Sequence, residues 1–460
     1  MAAAMSVVAF DFGKTRSKFF VFDGNSLILA SDAIVSQWSD SGPYPHCDVE
    51  VLWNWMLTSL AEIPDRDAVT RIVCVSHGSA IALLGDNDLA LPILDYEFSP
   101  PQSLVTEYGR VMPSYAEVLA PLMPAGLNLG VQLYWLQRTY PEAFARVRNI
   151  VGLPQYWAWR LTGRAVCDYS CIGAHSHLWD PRARHFSSLA IAQRWDRLVA
   201  PLCRSYDEVE ILHAGVAKAT GLQPSCTVLA GGHDSTMVTE LYLHHGLASF
   251  SIASTGTWVV LFNTHAELDL LDSARAMFTC TTPEGDPLAT AMFMGGRELE
   301  ILSGSTPVAI ELADIEATIA EEVFAVPAFA SGGFVPGSAG RIVGRAPATA
   351  RGRTALGILY AALMTSMGFD FLSSSNEIIA DGGLTASPSF LALLAALRPR
   401  QRVLVNRLGQ GAAMGAACLT VRGTKDRLFA GVLEPVSTGA FAGLEAYATA
   451  WRDLVQAEAA

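Results

Sequence analysis

The chain has little that would tie it to a membrane, to a polyanion or covalently to itself. No apolar run among its 460 residues approaches the roughly 18 that a membrane helix needs, and FLALLAAL, near residue 390, is too short. Basic residues are few: 31 Lys and Arg stand against 44 Asp and Glu, and the net charge of −13 argues against nucleic acid as a partner. That balance leaves small anionic ligands open, since a few backbone N–H groups can hold an anion locally. Eight cysteines are scattered without a CxxC pair; the nearest two, Cys167 and Cys171, have three residues between them, which fits neither a redox pair nor a zinc knuckle. Free thiols in a reducing cytosol, and so a cytoplasmic location, are expected. The N-terminal MAAAMSVVAF lacks the basic region, apolar core and cleavage site of a signal peptide. One more absence concerns phosphate binding. FDFGKTRSK, Phe10 to Lys18, contains Gly-Lys-Thr, the ending of a P-loop, but Val8 stands five positions before Gly13 where a glycine is needed. The apolar KFFVFD that follows reads as strand, not helix, so the P-loop reading fails.

What is present is apolar and layered. Hydrophobic residues make up 51% of the chain and charged residues only 16%, which suits buried α/β layers rather than disorder. At this length two domains are expected. VVAF, KFFVFD, RIVCVS, CTVLAGG, ASFSIAS and WVVLF read as strands, while LWNWMLTSLAEI and LGVQLYWLQRTY carry aromatics and aliphatics at three-to-four spacing and read as core-facing helices. The mixture implies α/β layers. A coarse repeat is visible: AFDFGKTRSKFFVFD has a counterpart in SIASTGTWVVLF, Ser251 to Phe262, each being strand, small polar turn, strand. The two stand about half a chain apart and suggest two related domains, residues 1–240 and 241–460. Ser331 to Gly352, rich in Gly, Pro and Ala, reads as a long ordered loop.

Four stretches are candidates for chemistry. In the first hairpin turn, Gly13, Lys14, Thr15 and Ser17 offer amides and hydroxyls, and Lys14 and Lys18 add charge. Such a turn can form an anion-binding nest, and an ordinary polar hairpin has the same composition. Asp11, at its mouth, is placed to hold Mg²⁺ through water. The second turn, Ser254, Thr255, Gly256 and Thr257, presents three hydroxyls beside a glycine, and one such turn in each half is hard to obtain by accident. In LAGGHDSTMVTELYL a strand runs into Gly231-Gly232, which let the backbone turn sharply, then into His233-Asp234 and an apolar helix. Asp234 is either a helix-capping residue or a carboxylate presented in a cleft as a general base. In IIADGGLTASPSFLALLAAL a strand ends at Asp381-Gly382-Gly383, and Ser387-Pro388 makes an N-cap and first turn for the helix behind. Those glycines either let a flat ring approach the backbone or form a plain strand-to-helix turn. His175 and His177 read as loop histidines rather than metal ligands, and His244-His245 as the end of a surface helix.

Taken in order and spacing, these stretches resemble the FGGY carbohydrate kinases of the actin, hexokinase and heat-shock ATPase superfamily. Further matches are PQYWAWRLTG followed by CDYS, SHG at Ser76 to Gly78, and GQGAAMGAA near the end, so the resemblance runs over essentially the whole chain. It implies an α/β fold of two ribonuclease-H-like (actin-like ATPase) domains flanking a central cleft, with sugar bound by the first and ATP by the second. Gly13, Lys14, Thr15, Ser17 and Lys18, with Ser254 to Thr257, would flank the phosphates; Asp11 would position Mg²⁺; Gly382 and Gly383 would border adenosine. Asp234 would take the proton from the attacking sugar hydroxyl, because phosphoryl transfer needs positioning, charge neutralisation and one base. His77 and Gly78 match the family's sugar pocket. The segment holding Asp95 and Glu97 occupies the place of a family W-x-D-x-R but lacks its Trp and Arg. TASPSF replaces the usual Lys-Ser-Pro-x-Trp, and Gln410 stands where many members have Glu. NLGVQLYWLQRTYPEAF and LPILDYE look most like the L-fuculose and L-rhamnulose kinase branches, so a 6-deoxyketohexose is the first substrate reading, a pentulose such as xylulose or ribulose the second, and glycerol behind both. The small-molecule sugar would be the partner, with neither nucleic acid nor membrane, and a homodimer is left open. From another class, an actin- or heat-shock-type ATPase would share the phosphate turns without a sugar pocket, and a non-catalytic sugar-binding regulator would not need Asp11 and Asp234.

Overall fold

The computed structural model describes residues 6–24, 28–335, 339–423 and 428–459. The N-terminal MAAAM and residues 336–338 of the Gly/Pro/Ala-rich stretch lie outside the described residues. The chain forms two compact units, the first of residues 1–247, 279–287 and 411–430, the second of residues 248–278, 288–410 and 431–460. The first break thus falls after Leu247, and the chain then returns twice to the first unit, which a division into 1–240 and 241–460 does not contain.

In the first unit, β1 (Ser6–Phe12), β2 (Arg16–Phe22), β3 (Ile28–Val35), β4 (Val69–Ser76), β5 (Glu208–Ile211), β6 (Thr227–Leu229) and β7 (Gly232–His233) form one sheet in the order β5-β6-β4-β1-β2-β3, with β7 beside β4. β1, β6 and β7 all run parallel to β4, and β1 to β3 form an antiparallel meander. β1 and β4 are buried on both faces, as parallel strands sandwiched by helices must be. Phe10 and Phe12, two residues apart and so on one face, meet Trp55 of α1 (Val49–Ala61) and Trp157 of α2 (Leu153–Thr162), the last pair stacked at 4.6 Å. β7 leads into α3 (Asp234–His244), and the helix Gly411–Leu419 lies against α3, β1 and β4. Contact with α3 is close enough that a side chain at Gly415 would meet the Met237 carbonyl oxygen at 2.0 Å, which accounts for the small-residue GAAMGAA sequence and brings this distant segment back to the first unit. α3 is buried along most of its length, and His244 at its end accepts the Leu428 N–H at 3.0 Å, so the pair His244-His245 closes a core helix rather than a surface one.

The second unit repeats the plan. β8 (Phe250–Thr255) and β9 (Val259–Asn263) make the hairpin, β10 (Pro287–Phe293) flanks β9, and β11 (Glu377–Gly382) and β12 (Val403–Asn406) run parallel to β8, with β13 (Leu433–Pro435) antiparallel at the edge. Its helices include α4 (Gly295–Ser303), α5 (Ala350–Phe371) and α6 (Pro388–Leu397). α5 corrects one expectation: its 22 residues are long and apolar enough to cross a membrane by length and composition, but 89% of its apolar window is buried inside the protein against α4 and α6. The stretch 331–352 is also less loop-like than expected, since Arg341–Val343 pairs antiparallel with Phe324–Val326 and Thr349 caps α5 at the Gly352 N–H.

Candidate active site

In the first unit three parallel strands end side by side, each within one residue of a candidate. The register sets Asp11 beside Val75 and Phe12 beside Ser76, and sets Gly232 and His233 beside Val75 and Ser76 in turn. Asp11, His77 and Asp234 therefore gather where the carboxyl ends of parallel strands open a crevice, the usual ligand position in α/β sheets. The hairpin adds Lys18, directly across from Asp11, with its Nζ 3.9 Å from Oδ2. Asp11 is pushed up to about 7, first by burial and then by the Asp234 charge, with Lys18 opposing. Burial likewise raises the Asp234 carboxyl against the pull of His77, Ser235 and Lys18.

Asp234 is not the helix cap. His233 holds the N-cap position, and Asp234 is the first helical residue, its Oδ1 accepting the Ser235 N–H at 2.5 Å and hydroxyl at 3.1 Å. Its carboxylate is one-quarter exposed at most, with 23% of the side chain accessible. The approach is fixed by Gly231, whose φ of +64° and 1.8 Å clearance to the Cys74 carbonyl oxygen exclude a side chain. His77 directs Nδ1 at the Gly78 carbonyl, 2.8 Å away, so Nδ1 carries the proton and Nε2 is left as an acceptor. Burial holds its ring neutral. Gly78 must be small because the His233 ring fills its side-chain space, Nε2 lying 2.6 Å from where a Cβ would stand.

Two sequence expectations for the first hairpin are corrected. Lys14, expected to add charge to the turn, is turned to carboxylates: its ammonium pairs with Asp95, lies 3.7 Å from Glu97, and sits 3.5 Å above the Trp38 ring and 5.2 Å from that of Tyr96. Ser17 is fully buried, sharing a 3.0 Å hydrogen bond with Ser36 beneath the turn, and is not a phosphate contact. The Gly13 N–H is closed onto the Arg16 carbonyl at 3.1 Å, and a Cβ there would come within 2.7 Å of the same oxygen. Thr15 is exposed at the tip. Lys14 instead ties the segment of Asp95 and Glu97 to the site, and the rings of Trp38 and Tyr96 come within 6.0 and 5.3 Å of His77. Sequence reasoning missed Trp38 and Tyr96, which carry no motif or spacing of their own. His177 is a satisfied loop histidine, its Nε2 facing the Ala120 and Pro121 carbonyls and its Nδ1 the Tyr108 hydroxyl at 2.9 Å.

In the second unit β8 and β11 reproduce the strand-end arrangement, Ser254 opposite Asp381 and Thr255 opposite Gly382. Thr255 is buried and ties the two ends together, donating to the Asp381 carbonyl at 2.6 Å and accepting the Leu384 N–H at 3.0 Å. Gly382 has φ +89°, and its Cβ would meet the Thr255 carbonyl oxygen at 2.1 Å, so this glycine serves the strand crossing. Gly383 is exposed and has nothing nearer than 3.7 Å, which leaves its backbone edge accessible. Gly256 and Thr257 are exposed at the hairpin tip, with the Gly256 N–H bonded to the Trp258 carbonyl at 2.8 Å. Ser387 caps α6 at the Phe390 N–H, with Pro388 in the first turn.

Comparison with known proteins follows the same division. The N-terminal domain of the FGGY family of carbohydrate kinases matches residues 107–239, and the family's C-terminal domain matches residues 247–427. A solved structure of a carbohydrate kinase from Novosphingobium aromaticivorans is 31% identical, covers 99% of each chain and superposes with a TM-score of 0.90. A xylulose kinase structure from Rhodospirillum rubrum shares the fold at 19% identity, 98% coverage of each chain and a TM-score of 0.79. A xylulose kinase from Haemophilus influenzae is 22% identical over 134 residues, and the match spans 27% of this chain and 27% of that relative's length. With a match at 31% identity running through 99% of the chain, the chain belongs to the FGGY family of carbohydrate kinases and is a sugar kinase.

Proposed function

We propose that the protein transfers the γ-phosphate of ATP to a hydroxyl of a ketose, with Asp234 as the general base. The observation that carries this reading is the meeting of Asp11, His77 and Asp234 at three adjacent strand ends. A base is most effective when its pKa lies near the working pH, and burial lifts Asp234 in that direction. Neutral His77, with Nε2 as an acceptor, suits a sugar hydroxyl that it would orient without competing for the proton. Lys14, Asp95, Trp38 and Tyr96 would wall the sugar side, the rings against C–H faces and the carboxylate against hydroxyls.

The residues also fit a divalent cation with a nucleotide. Burial raises both carboxyls and the Asp234 charge raises Asp11 further, so the pair is short of positive charge, with Lys18 pulling both the other way. Mg²⁺ is commonly bound through one or two carboxylates, water and phosphate oxygens, and Asp11 offers one such carboxylate. Mg²⁺, when bound, would neutralise charge on the phosphates. Within the first unit Asp11 would hold it; within the second, the exposed tip at Gly256 and Thr257 and the backbone edge at Gly383 are open to a nucleotide.

For the acceptor, the xylulose kinases among the similar proteins favour a pentulose over the 6-deoxyketohexose suggested by sequence resemblance. A coupled ADP-release screen over ketopentoses, 6-deoxyketohexoses, glycerol and the parent aldoses tests both. Turnover dependent on Mg²⁺ and on a ketose is expected, greatest with a pentulose. ATP hydrolysis that no sugar stimulates would overturn the reading.

A further inference from the structure

Behind the Gly231 to Asp234 turn lies a buried polar cluster for which the proposed proton transfer has no use. Gln155, Asp168, Ser170 and Ser205 are all fully buried. Asp168 accepts five hydrogen bonds: from the Ser170 hydroxyl and N–H at 2.7 and 2.9 Å, the Ser205 hydroxyl at 2.7 Å, the Cys171 N–H at 3.0 Å and Gln155 Nε2 at 3.4 Å. Three of these four partner residues also reach the turn. Ser170 Oγ accepts the His233 N–H at 2.9 Å, Gln155 Nε2 donates to the Ala230 and Gly231 carbonyls at 3.0 and 3.1 Å, and the Ser205 carbonyl accepts the Gly231 N–H at 2.9 Å. The cluster occupies the space of a missing side chain: a Cβ on Gly232 would stand 2.3 Å from Ser170 Oγ and 2.9 Å from both Asp168 Oδ2 and Ser205 Oγ.

A buried carboxylate is expensive unless every lone pair is used, and a plain strand-to-helix turn can be closed by its own backbone. Here the donors around Asp168 are arranged so that the serine hydroxyl, having given its proton to the carboxylate, has only lone pairs left for the His233 N–H. That orientation fixes the Gly232–His233 peptide, one residue before Asp234. We propose that Asp168 and Ser170 are positioning residues for phosphoryl transfer, holding the His233 peptide so that the Asp234 carboxylate stays in register with its substrate.

The proposal rests on Asp234 being the base, and a double-mutant cycle separates the two. Displacing a catalytic group by about 1 Å can lower a rate on the order of 100-fold, so Ser170→Ala should reduce kcat by roughly tenfold to 100-fold. In the Asp234→Asn background the same change should have almost no further effect on the residual kcat, because the group it positions is already disabled. Equal losses in both backgrounds would make Ser170 a structural residue and overturn the proposal, as would an unchanged kcat in Ser170→Ala alone. A near-normal kcat in Asp234→Asn alone would overturn the assignment of the base, and this proposal with it. Should Ser170→Ala fail to fold, the isosteric Asp168→Asn takes its place in the same cycle with the same expected pattern.

Discussion

Asp11 in the ligand-free site should contribute less to stability as the pH rises, and Asp11→Asn should abolish that contribution. Asp11 is held at about 7 in the folded protein against an ordinary 3.8, by burial first and by the Asp234 charge second. Between these values the folded chain keeps a proton that the unfolded chain has released. The free energy of unfolding therefore falls as pH rises from about 4 to about 7, and the loss is complete above that window. A displacement of this size corresponds to on the order of 4 kcal/mol. Four imidazoles work in the opposite sense: burial holds His233 and His177 down to about 4 and His175 down to about 3, and also lowers His77, so the unfolded histidines, near 6.5, shed their protons to the benefit of the folded state as pH rises. Comparison with the variant cancels those contributions, since all four histidines remain. Thermal unfolding of wild type and Asp11→Asn, without nucleotide and with chelator, should give a Tm difference that grows in favour of the variant from pH 5 to pH 8. At roughly 2 °C per kcal/mol for a unit of this size, the gain is several degrees. A Tm difference that is the same at pH 5 and pH 8 would refute the reasoning.

Asp234→Asn should lower kcat by roughly 10²–10⁴ with little change in Tm, because the residue removed is the base and not the helix cap; a kcat near that of wild type leaves the proton without an acceptor. His77→Ala should raise KM for the ketose far more than for ATP, and equal changes in steady-state assays would return it to a packing role. Lys14→Met should follow the same pattern, since its ammonium holds the Asp95 segment; a larger change in KM for ATP would restore the phosphate contact that the sequence suggested.

Much of this was legible from local sequence, and the reasons for the exceptions are physical. Both hairpins, the sharp turn at Gly231 and the capped helix after Ser387 depend on neighbours within a few residues, and their residue types signal them. Ser17 was legible in principle: strand alternation puts it on the face of Phe19 and Val21, both core residues, rather than beside Lys18. The partner of Lys14 lies 81 residues away, a pairing that local pattern does not encode. The return of the helix Gly411–Leu419 to the first unit was hidden because its Gly and Ala residues read as a generic apolar helix until Gly415 is seen against Met237. α5 escaped notice as a long apolar element because Thr365 and Ser366 dilute the run; they are tolerated in a wholly buried helix because Thr365 bonds back to the Ala361 carbonyl at 2.7 Å.

The motif-level reading and the electrostatics converge on why Asp11 and Asp234 should stand so near each other. Alone, the Asp234 charge and burial favour a proton on Asp11, burial raises Asp234 as well, and a protonated Asp234 cannot take the proton of the attacking hydroxyl. Lys18 lowers both but is 3.9 Å from Asp11 and one-third exposed, so its pull is screened and insufficient. Further positive charge beside Asp11 would favour the ionised form of both carboxylates, so that Asp234 would enter the reaction as the free carboxylate. On the proposed mechanism the base would be most competent when the phosphate-bearing ligand and its counter-charge are present. The same coupling that weakens the empty protein above pH 7 thus limits proton abstraction from a bound sugar until a phosphoryl group is there to receive the oxygen.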